Sequence, residues 1–397
     1  MRVAFLTAGG IAPCLSATIG HLIKCYAEKD SSIEMYGYLH GYKGLLLGNS
    51  IKVSDETVAK AELLYNFGGS PLGNSRVKLS NANDCIKKGY IKKGENPLEI
   101  AARQLIKDKI DVLHTIGGDD TNTTAGDLVD YLDNIGHELI VIGIPKTIDN
   151  DITPIRQTLG AWTAAEQGAI YFENIINENT TSSRHLIIHE VMGRHCGWLT
   201  AATAKEYRLR LRNNKFISSF LVDRDRWDID AIYIPELGID FGFEIERLKE
   251  RMDRKDSINI FLSEGAGLDS IVDEFEAKGE FVERDAFGHV AIDKINPGEW
   301  FARQFSKKIN ADKVLIQKSG YFSRSSKANK KDLELIFESV ELAVNIVLDN
   351  GESGVVGLDE DNNNQLNCIK FERITGGKEF DYNIDWFQSI LKDIKQI

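Results

Sequence analysis

The chain has 397 residues, 42% of them hydrophobic and 27% charged, a balance typical of a soluble globular protein with room for two domains. Its formal net charge of −12 argues against nucleic-acid binding, which would need a basic surface. Five scattered cysteines, none in a C-x-x-C pair, suggest neither a disulfide framework nor a zinc site and favour a cytoplasmic protein.

The N-terminal sequence and the apolar segments argue against a membrane protein. Met1 leads directly into a strand-like segment without a signal-peptide pattern. No apolar run reaches the roughly 18 residues that a membrane-spanning helix needs. We therefore expect neither secretion nor membrane insertion.

Short segments rich in β-branched residues recur along the chain and are followed by glycine or proline. They comprise residues 3–7, 112–116, 139–144, 186–191 and 258–262. Stretches between them, such as 97–107 and 124–132, have the apolar spacing of helices. Alternating strands and helices predict an α/β fold with parallel sheets, in which loops at the carboxyl ends of strands bind ligands.

The first such loop contains Gly9 and Gly10, which follow the strand predicted at 3–7. A Gly-Gly turn allows backbone amides and a helix N-terminus to face an anion, although a tight turn without a ligand is an equally good interpretation. The Walker pattern is absent, and this turn lacks the G-x-G-x-x-G spacing of dinucleotide-binding folds. A dehydrogenase is therefore disfavoured.

The second loop places Asp119 and Asp120 directly after Gly117 and Gly118. Adjacent aspartates repel each other, so the pair needs a divalent cation, amide donors or a lysine. A helix N-cap would account for one aspartate but not for both.

The third loop, 145–151, combines a lysine, a hydroxyl and two carboxylates, which are Lys146, Thr147, Asp149 and Asp151. A carboxylate near a substrate hydroxyl can act as a general base, and a neighbouring lysine can neutralise a transferring phosphoryl group. These groups are the minimum equipment for phosphoryl transfer, and a solvated turn is the alternative interpretation.

Three later loops carry weaker signals. Arg194 suits bidentate phosphate recognition, although a merely solvated arginine is common. Glu264 offers an acceptor for sugar hydroxyls, and Lys318 and Arg324 add two cations.

Taken in order, these loops resemble those of the phosphofructokinase family. The matching segments are 7–13, 68–76, 117–121, 145–151, 190–194 and Glu264. The resemblance implies a phosphofructokinase-like α/β fold of two doubly wound lobes, with largely parallel sheets and the site in the cleft between them. It also implies a homodimer or homotetramer, because the family shares its sites between subunits.

The resemblance also suggests how the chain divides. The larger lobe would comprise 1–160 and about 330–375 and would bind pyrophosphate and Mg²⁺. The smaller lobe would comprise 161–329 and a C-terminal helix at about 376–397 and would bind the sugar phosphate. Segment 267–313 is longer than in compact bacterial members, so the resemblance implies no fold for it.

The family's activity implies a role for each matching residue. Asp149 would accept the proton of the 1-hydroxyl of fructose 6-phosphate, and fructose 1,6-bisphosphate would form. Arg194 would also take part in catalysis, and Asp119 would hold Mg²⁺. The donor would contact Gly9, Gly10 and Arg76. The sugar phosphate would contact Thr147, Ile148, Asp151, Met192, Gly193, Arg194, Glu264, Tyr321 and Arg324.

Donor choice depends on Asp120 and Lys146, where ATP-using bacterial relatives have glycine. A carboxylate at Asp120 would fill the space of an α-phosphate and repel it, since two unit charges ~4 Å apart at an effective dielectric of ~20 interact by roughly 4 kcal/mol. Lys146 would supply the charge that a compact donor needs. Together they favour inorganic pyrophosphate and a readily reversible reaction.

Two features depart from the ATP-using bacterial pattern. Those members have an arginine at the position of His185, so a phosphate contact to a neighbouring subunit would fall to His185 or to Arg184. The first helix has Gly20 and Lys24 where allosteric members carry arginines for a nucleotide effector, and we expect that regulation to be lost.

Two alternatives remain within the family. One is an ATP-dependent 6-phosphofructokinase, and the other is a non-catalytic regulatory subunit. A regulatory subunit should have lost the base or the metal ligand, yet Asp149 and Asp119 are both present.

Overall fold

The computed structural model describes residues 1–283 and 295–397, so part of the segment 267–313 lies outside the described residues. The chain divides into two compact units. Unit 1 comprises Met1–Thr163 and Arg324–Lys378, and unit 2 comprises Ala164–Ser323 and Glu379–Ile397. Each unit contains its own β-sheet.

The strands of the described residues are numbered in chain order. They are β1 (Arg2–Thr7), β2 (Glu34–Tyr38), β3 (Ser50–Lys52), β4 (Val112–Gly117), β5 (Ile140–Pro145), β6 (His185–Val191), β7 (Ala231–Tyr233), β8 (Ser257–Ser263), β9 (Lys313–Lys318), β10 (Gly354–Asp359) and β11 (Gln365–Ile369). All five strands predicted from the sequence are present, each within one residue of its predicted bounds.

The helices alternate with these strands along most of the chain. The α-helices are Leu15–Lys29, Tyr42–Leu47, Asp55–Ala59, Ala82–Lys87, Pro97–Asp108, Asp119–Asn134, Ala161–Ile175, Trp198–Asn213, Arg224–Trp227, Phe241–Lys255, Leu268–Ala277, Pro297–Phe305, Gly320–Arg324, Lys330–Leu348 and Asp385–Asp393. The 3₁₀ helices are Ala61–Asn66, Ile176–Thr180, Ser218–Phe220, Glu360–Asn362 and Phe371–Arg373. In the described residues, no helix is long and apolar enough to cross a membrane.

Unit 1 has a seven-stranded sheet in the order β11-β10-β5-β4-β1-β2-β3. Its pairings are parallel except at the two ends, where β3 and β11 pair antiparallel with their neighbours. Every residue of β4 is buried, as expected for a parallel strand covered on both faces. The register aligns Thr7 with Ile116 and Gly117 with Pro145, so β1, β4 and β5 all end at one edge of the sheet.

Unit 2 has a four-stranded, wholly parallel sheet in the order β7-β8-β6-β9. Apolar clusters cover it, one of them packed around Phe301 and Phe305 and another around Phe172 and Phe261. Val191 pairs with Ser263, and Glu190 pairs with Lys318, so the loops that follow β6, β8 and β9 also share one edge. The predicted α/β class with largely parallel sheets is confirmed.

Candidate active site

The predicted site residues fall in both units. Unit 1 contains Gly9, Gly10, Arg76, Asp119, Asp120, Lys146, Thr147, Ile148, Asp149, Asp151 and Arg324. Unit 2 contains His185, Met192, Gly193, Arg194, Glu264 and Tyr321. Most of them lie on loops, while Asp119 and Asp120 begin the helix Asp119–Asn134, Tyr321 and Arg324 lie in the helix Gly320–Arg324, and His185 begins β6.

In unit 1, the Gly-Gly turn after β1 is held by the loop 68–76. The hydroxyl of Thr7 donates to Asn74 Oδ1 at 2.7 Å, and Asn74 Nδ2 donates to the carbonyls of Gly9 and Gly10 at 3.2 and 3.3 Å. The guanidinium of Arg76 would lie 4.0 Å from a Cβ built on Gly10. The turn and Arg76, which were predicted to bind the donor, are therefore neighbours.

Lys146 links the loop after β5 to the same turn. Its ammonium donates to the carbonyl of Gly10 at 2.7 Å, and the side chain is almost completely buried. Burial lowers the pKa of Lys146 to about 8; the charge of Arg76 acts in the same direction, while Asp149 and Asp151 oppose it. A Cβ on Gly9 would lie 3.3 Å from this ammonium, so a glycine keeps the approach open.

Internal hydrogen bonds fix the carboxylates of the loop 146–151. The hydroxyl of Thr147 donates to Asp151 Oδ1 at 3.2 Å and accepts from the amide of Asp149 at 3.1 Å. Asn150 has a left-handed backbone, and its side chain accepts from the amide of Thr158 at 2.8 Å. The hydroxyl of Thr158 also donates to the carbonyl of Thr147 at 2.8 Å. These hydrogen bonds fix the backbone conformation of the loop that carries Asp149 and Asp151.

The carboxylate of Asp151 is buried, and the negative charge of Asp119 acts on it. Burial raises the pKa of Asp151, and the negative charge of Asp119 raises it further. Such a pair suits a cation, which would relieve the repulsion. In the described residues no three His, Cys, Asp or Glu side chains gather as a metal site. Mg²⁺ commonly takes one or two carboxylates and completes its shell with water and substrate phosphates.

Two sets of contacts in unit 1 could not be predicted from the sequence. Lys78 Nζ lies 2.7 Å from Asp120 Oδ2, so the carboxylate predicted to repel ATP is part of an ion pair. The backbone of Gly376 lies against Asp119, and the amide of Lys378 donates to the carbonyl of Asp151 at 3.0 Å. The sequence offered two weak signals for these contacts, a lysine two residues after Arg76 and a late Gly-Gly pair.

In unit 2, the loops after β6 and β8 interlock. The hydroxyl of Ser263 donates to the carbonyl of Gly193 at 2.5 Å, and a Cβ on Gly265 would lie 1.8 Å from the carbonyl of Arg194. The amide of Glu264 donates to the carbonyl of Val191 at 2.9 Å. Arg194 and Glu264 therefore lie on two loops in direct backbone contact.

The loop after β9 contacts the loop after β6. A Cβ on Gly320 would lie 2.8 Å from Met192 Cε, so Gly320 lies directly against Met192. Tyr321 is the next residue, and its side chain is exposed. Lys318, at the end of β9, binds the buried carboxylate of Glu190 at 2.7 Å.

His185 lies at the opposite end of β6 from Met192. The ring is fully buried, its Nδ1 is 2.8 Å from the carbonyl of Glu178, and burial lowers its pKa. The adjacent Arg184 binds the carbonyls of Asn310 and Ile309 and the carboxylate of Asp253. A phosphate contact by either residue stays a prediction, and these contacts count against it.

The fold and the charged strand-end loops define an α/β protein equipped to bind anions. The chain belongs to the phosphofructokinase family, whose signature matches residues 2–344. It is similar to a protein of Methylomonas methanica named pyrophosphate–fructose 6-phosphate 1-phosphotransferase, with 55% identity over 395 residues, covering 100% of this chain and 96% of the relative. A protein of the same name from Mastigamoeba balamuthi is 54% identical over 394 residues, covering 99% and 96%.

Among solved structures, the chain is similar to a pyrophosphate-dependent phosphofructokinase from Nitrosospira multiformis. The TM-score is 0.72 at 17% identity, and the match covers 99% of this chain and 91% of that one. At this identity the likeness establishes the fold alone.

Proposed function

We propose that this enzyme transfers a phosphoryl group reversibly from inorganic pyrophosphate to the 1-hydroxyl of fructose 6-phosphate, yielding fructose 1,6-bisphosphate and phosphate. The observation that carries the proposal is the buried Lys146, whose ammonium is bound to the Gly10 carbonyl and is influenced by the charges of Asp149 and Asp151. The names of the relatives at 52 to 55% identity support the same donor and acceptor.

In this mechanism Asp149 accepts the proton of the 1-hydroxyl as that oxygen attacks the phosphorus. The O–P bond to the sugar forms while the bridging P–O bond of pyrophosphate breaks, and inorganic phosphate leaves. The hydrogen bond from Asp149 N to Thr147 Oγ1 holds the base in its loop. Lys146 stabilises the charge on the transferring group, as preorganised cations do in phosphoryl transfer.

Asp119, with Asp151 nearby, would hold Mg²⁺. The ion would neutralise charge on the phosphate oxygens when the donor is bound. Gly9, Gly10 and Arg76 would contact the donor through backbone amides and a guanidinium. Asp120 would occupy the volume that an α-phosphate requires.

The residues of unit 2 would hold the sugar phosphate. Met192, Gly193, Arg194, Glu264 and Tyr321 supply a guanidinium, a carboxylate and a phenol for phosphate and hydroxyl groups. Arg324 and the loop residues Thr147, Ile148 and Asp151 would add contacts. We further propose a cytoplasmic homodimer or homotetramer, which light scattering would detect as two or four times the chain mass of 44.4 kDa.

Replacing Asp149 by Asn tests the base directly. General-base catalysis contributes ~10²- to 10⁴-fold, so kcat with pyrophosphate should fall by that amount while the KM for pyrophosphate changes little. Coupled assay of fructose 1,6-bisphosphate gives both constants. Full activity of Asp149→Asn would remove Asp149 from the mechanism.

A further inference from the structure

The segment 375–378 of unit 1 lies against the loops that carry Asp119 and Asp151. Thr375 and Thr153 exchange two backbone hydrogen bonds, at 2.8 and 3.1 Å, which pair the segment with the chain just after Asp151. The amide of Lys378 then donates to the carbonyl of Asp151 itself at 3.0 Å.

Gly376 makes the closest approach. A Cβ at this position would lie 1.9 Å from Asp119 Oδ2 and 2.6 Å from its Cγ, far inside any tolerated contact. The backbone of Gly376 therefore packs on the carboxylate of Asp119, and no other residue type fits without displacing one of them.

Both ends of the segment are anchored. On one side, Arg373 forms a bidentate pair with the buried carboxylate of Asp359, with both distances at 2.8 Å. On the other, Lys378 Nζ donates to the carbonyl of Ile155 at 2.8 Å and to Glu360 at 2.7 Å. With fixed ends, the segment cannot move away when a side chain is added at Gly376.

We propose that the segment 375–378 is a clasp that positions Asp119 and Asp151 for the metal–pyrophosphate complex, with Gly376 as its positioning residue. The inference rests on the proposed function, because it assigns the clasp to the metal site of that reaction. Partners that orient metal ligands typically change metal affinity ~10- to 100-fold when mutated. The clasp should therefore set the Mg²⁺ requirement.

The test compares Gly376→Ala with wild type and with Gly238→Ala. Gly238 is a matched control because a Cβ there would meet no described atom within 4 Å. Each protein is titrated with Mg²⁺ at fixed methylenediphosphonate, a non-hydrolysable analogue of pyrophosphate, and the rise in melting temperature gives a midpoint. The melting temperature without metal reports folding, and this readout needs no turnover.

For Gly376→Ala we expect the Mg²⁺ concentration at the midpoint to be at least ~10-fold higher than in wild type. Gly238→Ala should match wild type. A folded Gly376→Ala with the wild-type midpoint would overturn the inference. If Gly376→Ala fails to fold, Lys378→Met decides: an increased midpoint supports the clasp, and a wild-type midpoint overturns it. Wild-type turnover with pyrophosphate tests the proposed function separately.

Discussion

The carboxylate of Asp120 forms an ion pair with Lys78, and 61% of its side chain is exposed. From the sequence, this carboxylate is expected to repel an α-phosphate by its charge. Exposed ion pairs are screened by water, and a partner cation reduces the net charge further. We therefore expect the volume of the Asp120 side chain to contribute more to donor choice than its charge.

Two substitutions at this position separate volume from charge. Asp120→Gly removes both, so turnover with ATP should appear or rise. Asp120→Asn keeps the volume and removes the charge, so the protein should still prefer pyrophosphate. The ratio of kcat/KM for pyrophosphate to that for ATP measures the effect, and equal ratios for the two variants would favour repulsion by charge.

The buried ammonium of Lys146 should leave a signature in the pH dependence of stability. Its pKa is about 8 in the folded protein, against a usual value of 10.5, so its charge costs about 3 kcal/mol of stability at pH 7. Between these two values the unfolded chain binds more protons than the folded one, so stability rises with pH across this window.

Lys146→Met lacks this titration and provides the reference. The free energy of unfolding of the donor-free wild type, relative to Lys146→Met, should increase from pH 8 to about pH 10 and stay constant below pH 7. Urea unfolding at a series of pH values measures the difference. If the free energy of unfolding depends on pH in the same way in both proteins, Lys146 does not carry a buried charge in the donor-free state.

At the scale of elements, close contacts between loops set part of the site geometry. In unit 2, the Cβ-free backbone of Gly265 lets the loop after β8 touch the carbonyl of Arg194. Gly265→Ala should displace Arg194 and raise the KM for fructose 6-phosphate about 10-fold, the loss expected for roughly one charge-assisted hydrogen bond.

Gly238→Ala again serves as the control for adding a methyl group. The KM for pyrophosphate should stay at the wild-type value in Gly265→Ala, since the substitution lies among the residues assigned to the sugar phosphate. Steady-state kinetics with each substrate varied in turn would check this split. A rise in both constants by the same factor would indicate a general structural effect instead.

The elements themselves could be predicted from local patterns, because strands such as β4 and β6 are short segments rich in β-branched residues and followed by glycine. The helix Asp119–Asn134 begins at the predicted aspartate pair, five residues before its apolar spacing suggested. Contacts between distant segments were beyond such reasoning. Gly376 meets Asp119, and Lys78 meets Asp120, through tertiary packing that leaves no periodic trace in the sequence.

At the scale of the whole molecule, the helix Leu15–Lys29 bears on regulation. A Cβ on Gly20 would lie 2.7 Å from the carbonyl of Ala61, and Lys24 is paired with Glu62. The 3₁₀ helix Ala61–Asn66 thus covers the positions where allosteric members carry arginines, and a side chain at Gly20 would not fit. We expect ADP to leave the initial rate unchanged at subsaturating fructose 6-phosphate, and a shift in the rate would refute this.

The donor is the central claim, and a side-by-side rate comparison tests it most directly. Purified protein with Mg²⁺ and fructose 6-phosphate is supplied with either pyrophosphate or ATP, and fructose 1,6-bisphosphate is measured. We predict turnover with pyrophosphate and none with ATP. Turnover with ATP alone would contradict the roles given to Asp120 and Lys146, and silence with both donors would point to a non-catalytic member of the family.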